Sequence, residues 1–448
     1  MKWAWIREFG SHTGKIEVLL EENAMPKMRI SHLSVLIACC LMAGASMGLS
    51  FYPASLFYEP VANGLNASVG SVSAVTFFVL LALAVSSLFV PWLLKAVPFK
   101  ALAAVGLALE AGGMAAMCFA FRPAWLYFCA LFEGAGAGIC GMVTITVLIN
   151  NWFYDQNGTR VSFAFASGAF WAAVLTPVLG FCLSVFGWRL TYVIQALLAV
   201  LLLLPCLVLP VDACPERLGQ VPAGTWKREK EASQARIPAV MAQTTGVCVL
   251  AALLAGIPQH FGSYAVSVGL DLSAGTSMVA WAMIGNIVSK LAAGAAVHYT
   301  DPPVSLMGLA AWAGIGLTGL LISTAAADRT VVLIMAFLAG SIYGLSELSA
   351  PLLIEYYFGR KKLARLYALV YCAEMAVCAL SIALAGWMYD LASNYVWILT
   401  AALIMDVIIL VLLYLLRQGS RIPESWKESA RRLKSAFDSD GKAEKTAE

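Results

Sequence analysis

A single lysine, Lys290, stands in the middle of the apolar run GNIVSKLAAGAAVH (Gly285 to His298). Five carboxylates, Glu110, Glu133, Glu347, Glu374 and Asp406, stand in similar runs elsewhere in the chain. An ammonium at the centre of a membrane-spanning helix costs about 2.5–3.5 kcal/mol on insertion scales. It is kept there by a water-filled cavity or by an acidic partner. Asn286, Ala293 and Gly294, at helical spacing from Lys290, are small or polar and fit a cavity wall, while Ile287 and Val297 are apolar. An ammonium can attract an anion without demanding bidentate geometry. The carboxylates can carry protons or serve as counter-ions of Lys290. The structural alternatives are an ion pair or a lysine snorkelling to a helix end, and acids hydrogen-bonded between helices. A second pair, His260 and Tyr264 in IPQHFGSYAV, lies four residues apart, on one face of a helix. Both can donate hydrogen bonds, and a histidine can exchange protons near neutral pH.

These residues need a membrane to position them. The chain is 61% hydrophobic and only 12% charged, about half the charge of a soluble domain, and its mean hydropathy is +0.81. The apolar runs are long and do not alternate, which points to helices and not to a barrel. Twelve such segments are expected, near 32–57, 70–94, 101–121, 124–150, 161–186, 190–210, 238–264, 274–298, 305–327, 330–356, 364–389 and 396–416. The organisation is therefore a segment over 1–30, a six-helix bundle over 31–210, a polar linker over 211–237, a second bundle over 238–416 and a tail over 417–448. With the N-terminus inside, 25 of the 29 lysines and arginines fall on the inner side, 3 fall outside, and the last is Lys290. That asymmetry predicts that both termini are cytoplasmic.

The halves read as copies. At an offset of about 205 residues Pro53 meets Pro258, Gly64-Leu65 meets Gly269-Leu270, Ser68 meets Ser273, Phe153 meets Phe358 and Arg160 meets Arg365. A parallel repeat of six helices is a transporter architecture. Glu347 and Glu374 share a half with Lys290 and are its expected partners. Glu133 precedes GAGAG, a run that permits close helix packing.

Four motifs carry a family resemblance: NWFYDQNGTRVSFAFASG (Asn151 to Gly168), FGWRLTYV (Phe186 to Val193), EYYFGRKKLARLYA (Glu355 to Ala368) and LAGWMYDLASNY (Leu384 to Tyr395). Over roughly residues 30–416 the chain resembles the major facilitator superfamily, in particular its oxalate/formate antiporter and monocarboxylate transporter group. The resemblance implies an all-α membrane protein of two pseudo-symmetric six-helix bundles that expose a central cavity alternately to each side. It implies that Lys290, on helix eight, meets a substrate carboxylate, with Asn286 where monocarboxylate transporters carry an acid. It implies that helix seven lines the cavity, so that His260 and Tyr264 orient the substrate; Tyr52 on helix one stands near the same level. The loops holding Asp155, Arg160 and Arg365 would gate the conformational change. The antiporter's second cation, on helix eleven, is replaced here by Glu374, which favours a monocarboxylate over a dianion.

The expected activity is therefore not enzymatic: proton symport or anion exchange of a small organic anion by a monomer in the bacterial cytoplasmic membrane. A drug or amphipathic-cation exporter is the first alternative, since five buried acids outnumber one lysine. A membrane sensor without transport is the second. No cofactor, metal site or nucleic-acid partner is expected: no phosphate loop or metal-spaced cluster is present, and ten of 11 cysteines fall in apolar segments as small hydrophobes. No cleavable signal peptide is expected, and Met25 or Met28 is an alternative start. In the tail, Trp426, Ala430, Leu433 and Phe437 share one helical face beside basic residues, the pattern of an amphipathic helix on an anionic leaflet.

Overall fold

In the computed structural model the described residues are 30–224, 237–392 and 394–420. The alternative start, most of the linker's charged run and the expected tail helix around Trp426 lie outside them. Among the described residues the fold is helical. The helices are α1 (Ser31–Leu65), α2 (Val69–Ala96), α3 (Phe99–Met117), α4 (Pro123–Trp152), α5 (157–186), α6 (188–208), α7 (Pro238–Ser267), α8 (Leu272–Tyr299), α9 (Pro302–Ser323), α10 (Arg329–Phe358), α11 (Arg360–Ala392) and α12 (Val396–Ser420). α5 and α6 follow one another without a loop over 52 residues. A straight helix of that length would measure about 78 Å at 1.5 Å per residue, more than twice a bilayer core. Gly187, at φ 72 and ψ 170, breaks it, and twelve spans result.

The most buried spans are α1, α4, α7 and α10, and each is interrupted. In α1 a π turn at Gly44–Leu49 and a 3-10 turn at Ala54–Phe57 flank Pro53. In α7 a 3-10 turn covers Ile257–His260, with Pro258 inside it. α4 is cut at Cys140–Gly141 and α10 at Gly340. Interrupted backbone is tolerated at membrane depth only where protein or a cavity surrounds it. Accordingly 89% of the apolar window of α4 is buried, against 33% for the peripheral α12. Outer helices turn large apolar side chains such as Phe181, Leu201 and Trp397 outward, where lipid replaces water. The halves meet along α2 against α11 and α5 against α8.

The repeat is real, but its register differs from the one the sequence matches suggest. Ser68 caps α2, its hydroxyl accepting from the Ser71 N–H. The corresponding cap on α8 is Asp271, accepting from the Ala274 N–H, and not Ser273. The left-handed turn residue Asn66 corresponds to Gly269, and Gln156 corresponds to Gly359. These pairs lie two residues closer than the offset of 205, and the 3-10 turns Ala54–Phe57 and Ile257–His260 keep the same shorter spacing. Composition rewarded glycine and serine matches, whereas the backbone places equivalence at caps and turns. The Ser273 hydroxyl, the Ala274 N–H and Arg329 hold the exposed Asp271 carboxyl below the ordinary carboxylate range.

Equivalent glycines hold the closest helix crossings, although α4 and α10 are offset three residues further than α2 and α8. A Cβ on Gly134 of α4 would overlap the Val79 carbonyl of α2, and a Cβ on Gly340 of α10 would overlap the Ala282 carbonyl of α8. Both crossings therefore need glycine. Gly340→Val is expected to destabilise the protein by about 1–3 kcal/mol through overpacking, read as a lower Tm in detergent. Gly308→Ala, which adds a Cβ in open space, should leave Tm unchanged or raise it. Equal Tm values for both variants would show that the crossing is not tight.

Candidate functional site

Lys290 is fully buried on α8. Its Nζ lies 2.8 Å from Glu347 Oε2 on α10, and it also donates to the Phe165 carbonyl on α5 at 3.3 Å. The Tyr52 hydroxyl on α1 donates to Glu347 Oε1 at 2.6 Å and accepts from Asn286 Nδ2, one turn before Lys290, at 3.1 Å. Lys290 Nζ lies 3.5 Å from the same hydroxyl, at the outer limit of a hydrogen bond. Three of the sequence-predicted residues, Lys290, Asn286 and Tyr52, thus converge on Glu347, one of the two expected partners. The cluster joins the bundles: Tyr52 and Phe165 belong to the first, Asn286, Lys290 and Glu347 to the second. The glycine crossing of α8 with α10 brings the two charges together. The unpartnered Asn286 Oδ1 leaves an acceptor at the cluster's edge.

Toward the linker side, further bonds tie the bundles together. Arg360 at the start of α11 donates to the carbonyls of Asn150 and Phe153 at the end of α4, and its guanidinium lies over the Tyr154 ring. Asn157 Nδ2 donates to Glu355 Oε1 at 2.9 Å, and Thr159 Oγ1 donates to the Gly294 carbonyl at 2.6 Å. Of the loop residues named from sequence, Arg160 pairs with Asp155 at 3.1 Å and lies over the Phe153 ring, all within the first bundle. Arg365 is exposed on the second turn of α11. The arginine that reaches across is Arg360. The sequence signal for it was its place beside Gly359, whose positive φ turns the chain back toward α4.

Other expected residues lie elsewhere. His260 Nε2 lies 3.0 Å from the Ile382 carbonyl of α11, and the Tyr264 hydroxyl donates to the Leu320 carbonyl of α9 at 2.6 Å. Both rings flank Tyr395. The pair keeps the one-turn spacing read from the sequence, on the face of α7 that meets Tyr395. The residue that turns toward the cluster is their neighbour Gln259, which donates to the Tyr343 hydroxyl at 3.0 Å; the Tyr343 ring stands edge-on to Tyr52. A glutamine beside a proline inside an apolar helix was the available signal. The Phe165 carbonyl, a main-chain group, had none. Glu374 is buried beside Cys248 of α7, with Oε1 unpartnered, and does not pair with Lys290. Asp406 on α12 faces Gly314 of α9. Glu110 and Glu133 lie together in the first bundle, away from Lys290.

A family model described as Major Facilitator Superfamily matches residues 35–354, from α1 into α10, and so includes every residue of the cluster. No curated protein matches the chain.

Removing one partner of a buried ion pair leaves an uncompensated charge and costs about 3–5 kcal/mol. Lys290→Met and Glu347→Met should each lower Tm in detergent, and the double variant should recover most of the loss. A double variant whose loss equals the sum of the singles would show that the two charges are not coupled.

Proposed function

The chain belongs to the major facilitator superfamily and is a membrane transporter, and we propose that its cargo is a small organic anion, a monocarboxylate, moved by alternating access with proton symport. The observation that carries this reading is the Lys290–Glu347 pair, buried where both bundles meet and bonded to Tyr52 of the opposite bundle. In the absence of cargo Glu347 neutralises Lys290. An incoming carboxylate must compete with Glu347 for the same ammonium. A proton on Glu347 removes that competition, so a proton and a carboxylate enter together and the buried site gains no net charge. A lone charge there would carry a large desolvation cost, which makes joint entry the lower-energy route.

Tyr52 links this exchange to movement. Its hydroxyl donates to the carboxylate of Glu347 and accepts from Asn286, so changing the charge on Glu347 changes a bond between the bundles. The Arg360, Asn157 and Thr159 contacts close the linker side; with the linker and both termini cytoplasmic, that is the inner side of a bacterial cytoplasmic membrane. The inter-bundle bonds then open as the cavity turns inward. His260 and Tyr264, held by main-chain carbonyls, act in this reading as supports of α7 behind Gln259 and Tyr343. The protein acts as a monomer.

The alternative of an amphipathic-cation exporter draws on the buried acids. The space beside Glu133, about 30 Å³, is far smaller than a drug-sized ligand requires, which favours the anion reading.

Proteoliposomes carrying the wild-type protein should accumulate a radiolabelled monocarboxylate when the outside is more acidic than the inside. Lys290→Gln should abolish that uptake and the thermal stabilisation by carboxylates, which at a hundredfold the Kd should be about 2.7 kcal/mol. Unchanged uptake in Lys290→Gln, or uptake of lipophilic cations only, would contradict the reading.

A further inference from the structure

The first bundle holds buried carboxyls that the anion reading does not use. Glu110 on α3 and Glu133 on α4 are both buried. They are brought together where these helices touch backbone to backbone at Gly113 and Gly136. Ser50 on α1 donates to Glu110 Oε1 at 3.1 Å and lines the same cavity as Glu133. Among the described residues neither acid forms an ion pair. Beside them lies a cavity of about 30 Å³, lined by Glu133, Ser50, Tyr58, Thr76, Tyr192 and Gln195. Gln195 is buried and donates through Nε2 to the Leu49 carbonyl at 2.8 Å, while its Oε1 is unpartnered. Glu110 Oε2 is unpartnered as well.

The chemistry of the guest follows from these atoms. The unpartnered atoms of Gln195 and Glu110 are oxygens that accept. The polar groups lining the cavity are carboxylate, amide and hydroxyl. A donor set of oxygens alone suits a hard cation. The space is water-sized, so an organic cation does not fit, and a bare proton needs no cavity. A hydrated divalent ion, which keeps several of its waters, is too large. Two ionised carboxyls without a basic partner carry two uncompensated negative charges, and one proton shared between them leaves one for a monovalent cation.

We propose that this cavity is a sodium-ion site, with Glu133 as the charged ligand and Gln195 Oε1, Ser50 Oγ and the Thr76 hydroxyl as neutral ligands. Ser50 and Tyr52 lie two residues apart on the same interrupted stretch of α1, just after its π turn. A cation that fixes Ser50 therefore also fixes the tyrosine that bridges to Glu347, and the site is coupled to the bundle interface. The proposal stands independently of the anion reading, because the ligands belong to the first bundle alone.

The test uses the purified full chain in detergent at constant ionic strength, without any carboxylate. Sodium chloride replacing choline chloride should raise Tm saturably, and potassium should do so less. Glu133→Gln should lose the shift, and Lys290→Gln should keep it. Thr76→Val removes an oxygen without changing charge. It should move the sodium midpoint upward by about tenfold, the equivalent of about 1.4 kcal/mol, and it serves if Glu133→Gln does not fold. Direct binding of radioactive sodium should follow the same order. No sodium-specific shift, an equal shift with potassium, or an unchanged midpoint in both site variants would overturn the proposal.

Discussion

At the centre of the interface between the bundles stands one constraint, a lysine and a glutamate that meet out of water. Lys290 has no exposure, so its charge must be balanced within hydrogen-bond reach. Glu347 supplies the charge, and Tyr52, Asn286 and the Phe165 carbonyl complete the shell. These groups come from four helices, which must converge at one depth. The glycine at the α8–α10 crossing makes that convergence possible. The interruptions in α1 and α10 lie on two of these helices, and the one in α7 sets Gln259 against Tyr343 beside them. A pair of this kind is weak as a stabiliser, because its desolvation offsets much of its attraction. It serves better as a switch, since either partner can be exchanged for a ligand of the same charge.

The two bundles share a scaffold and divide the chemistry. By the register of caps and crossings, Ser87 occupies in α2 the place of Lys290 in α8. Ala313 and Ala339 occupy the places of Glu110 and Glu133. The repeat therefore preserves the close helix crossings and leaves the charges free to diverge. One bundle carries a neutralised cation suited to exchange with an anion, and the other carries paired acids with a small oxygen-lined space. Tyr52 and Ser50, two residues apart on α1, connect them.

Much of this was legible in the sequence, and the remainder was hidden for physical reasons. The number and place of the helices followed from long apolar runs, because lipid leaves the backbone few alternatives. Lys290 and its acids stood out because charge is scarce in those runs, and Glu347 was named as one of two partners. The choice between Glu347 and Glu374 depended on helix rotation, which a pattern of uniformly apolar faces does not encode. His260 and Tyr264 share one face as their spacing predicts, but their bonds to main-chain carbonyls of α11 and α9 depend on helix rotation, which the sequence does not encode. Arg360 has no counterpart arginine in the first half, so the repeat does not single it out, and its bonds to α4 depend on the turn at Gly359.

The central claim, that a carboxylate takes Lys290 from a glutamate that must first bind a proton, is tested most directly by proton counting. A saturating monocarboxylate is added to the purified protein in weakly buffered solution near neutral pH, and the pH change is recorded. The wild type should take up about one proton for each carboxylate bound, and Glu347→Gln should bind the carboxylate with no proton uptake. Carboxylate binding without proton uptake in the wild type, or the same uptake in both proteins, would contradict the claim.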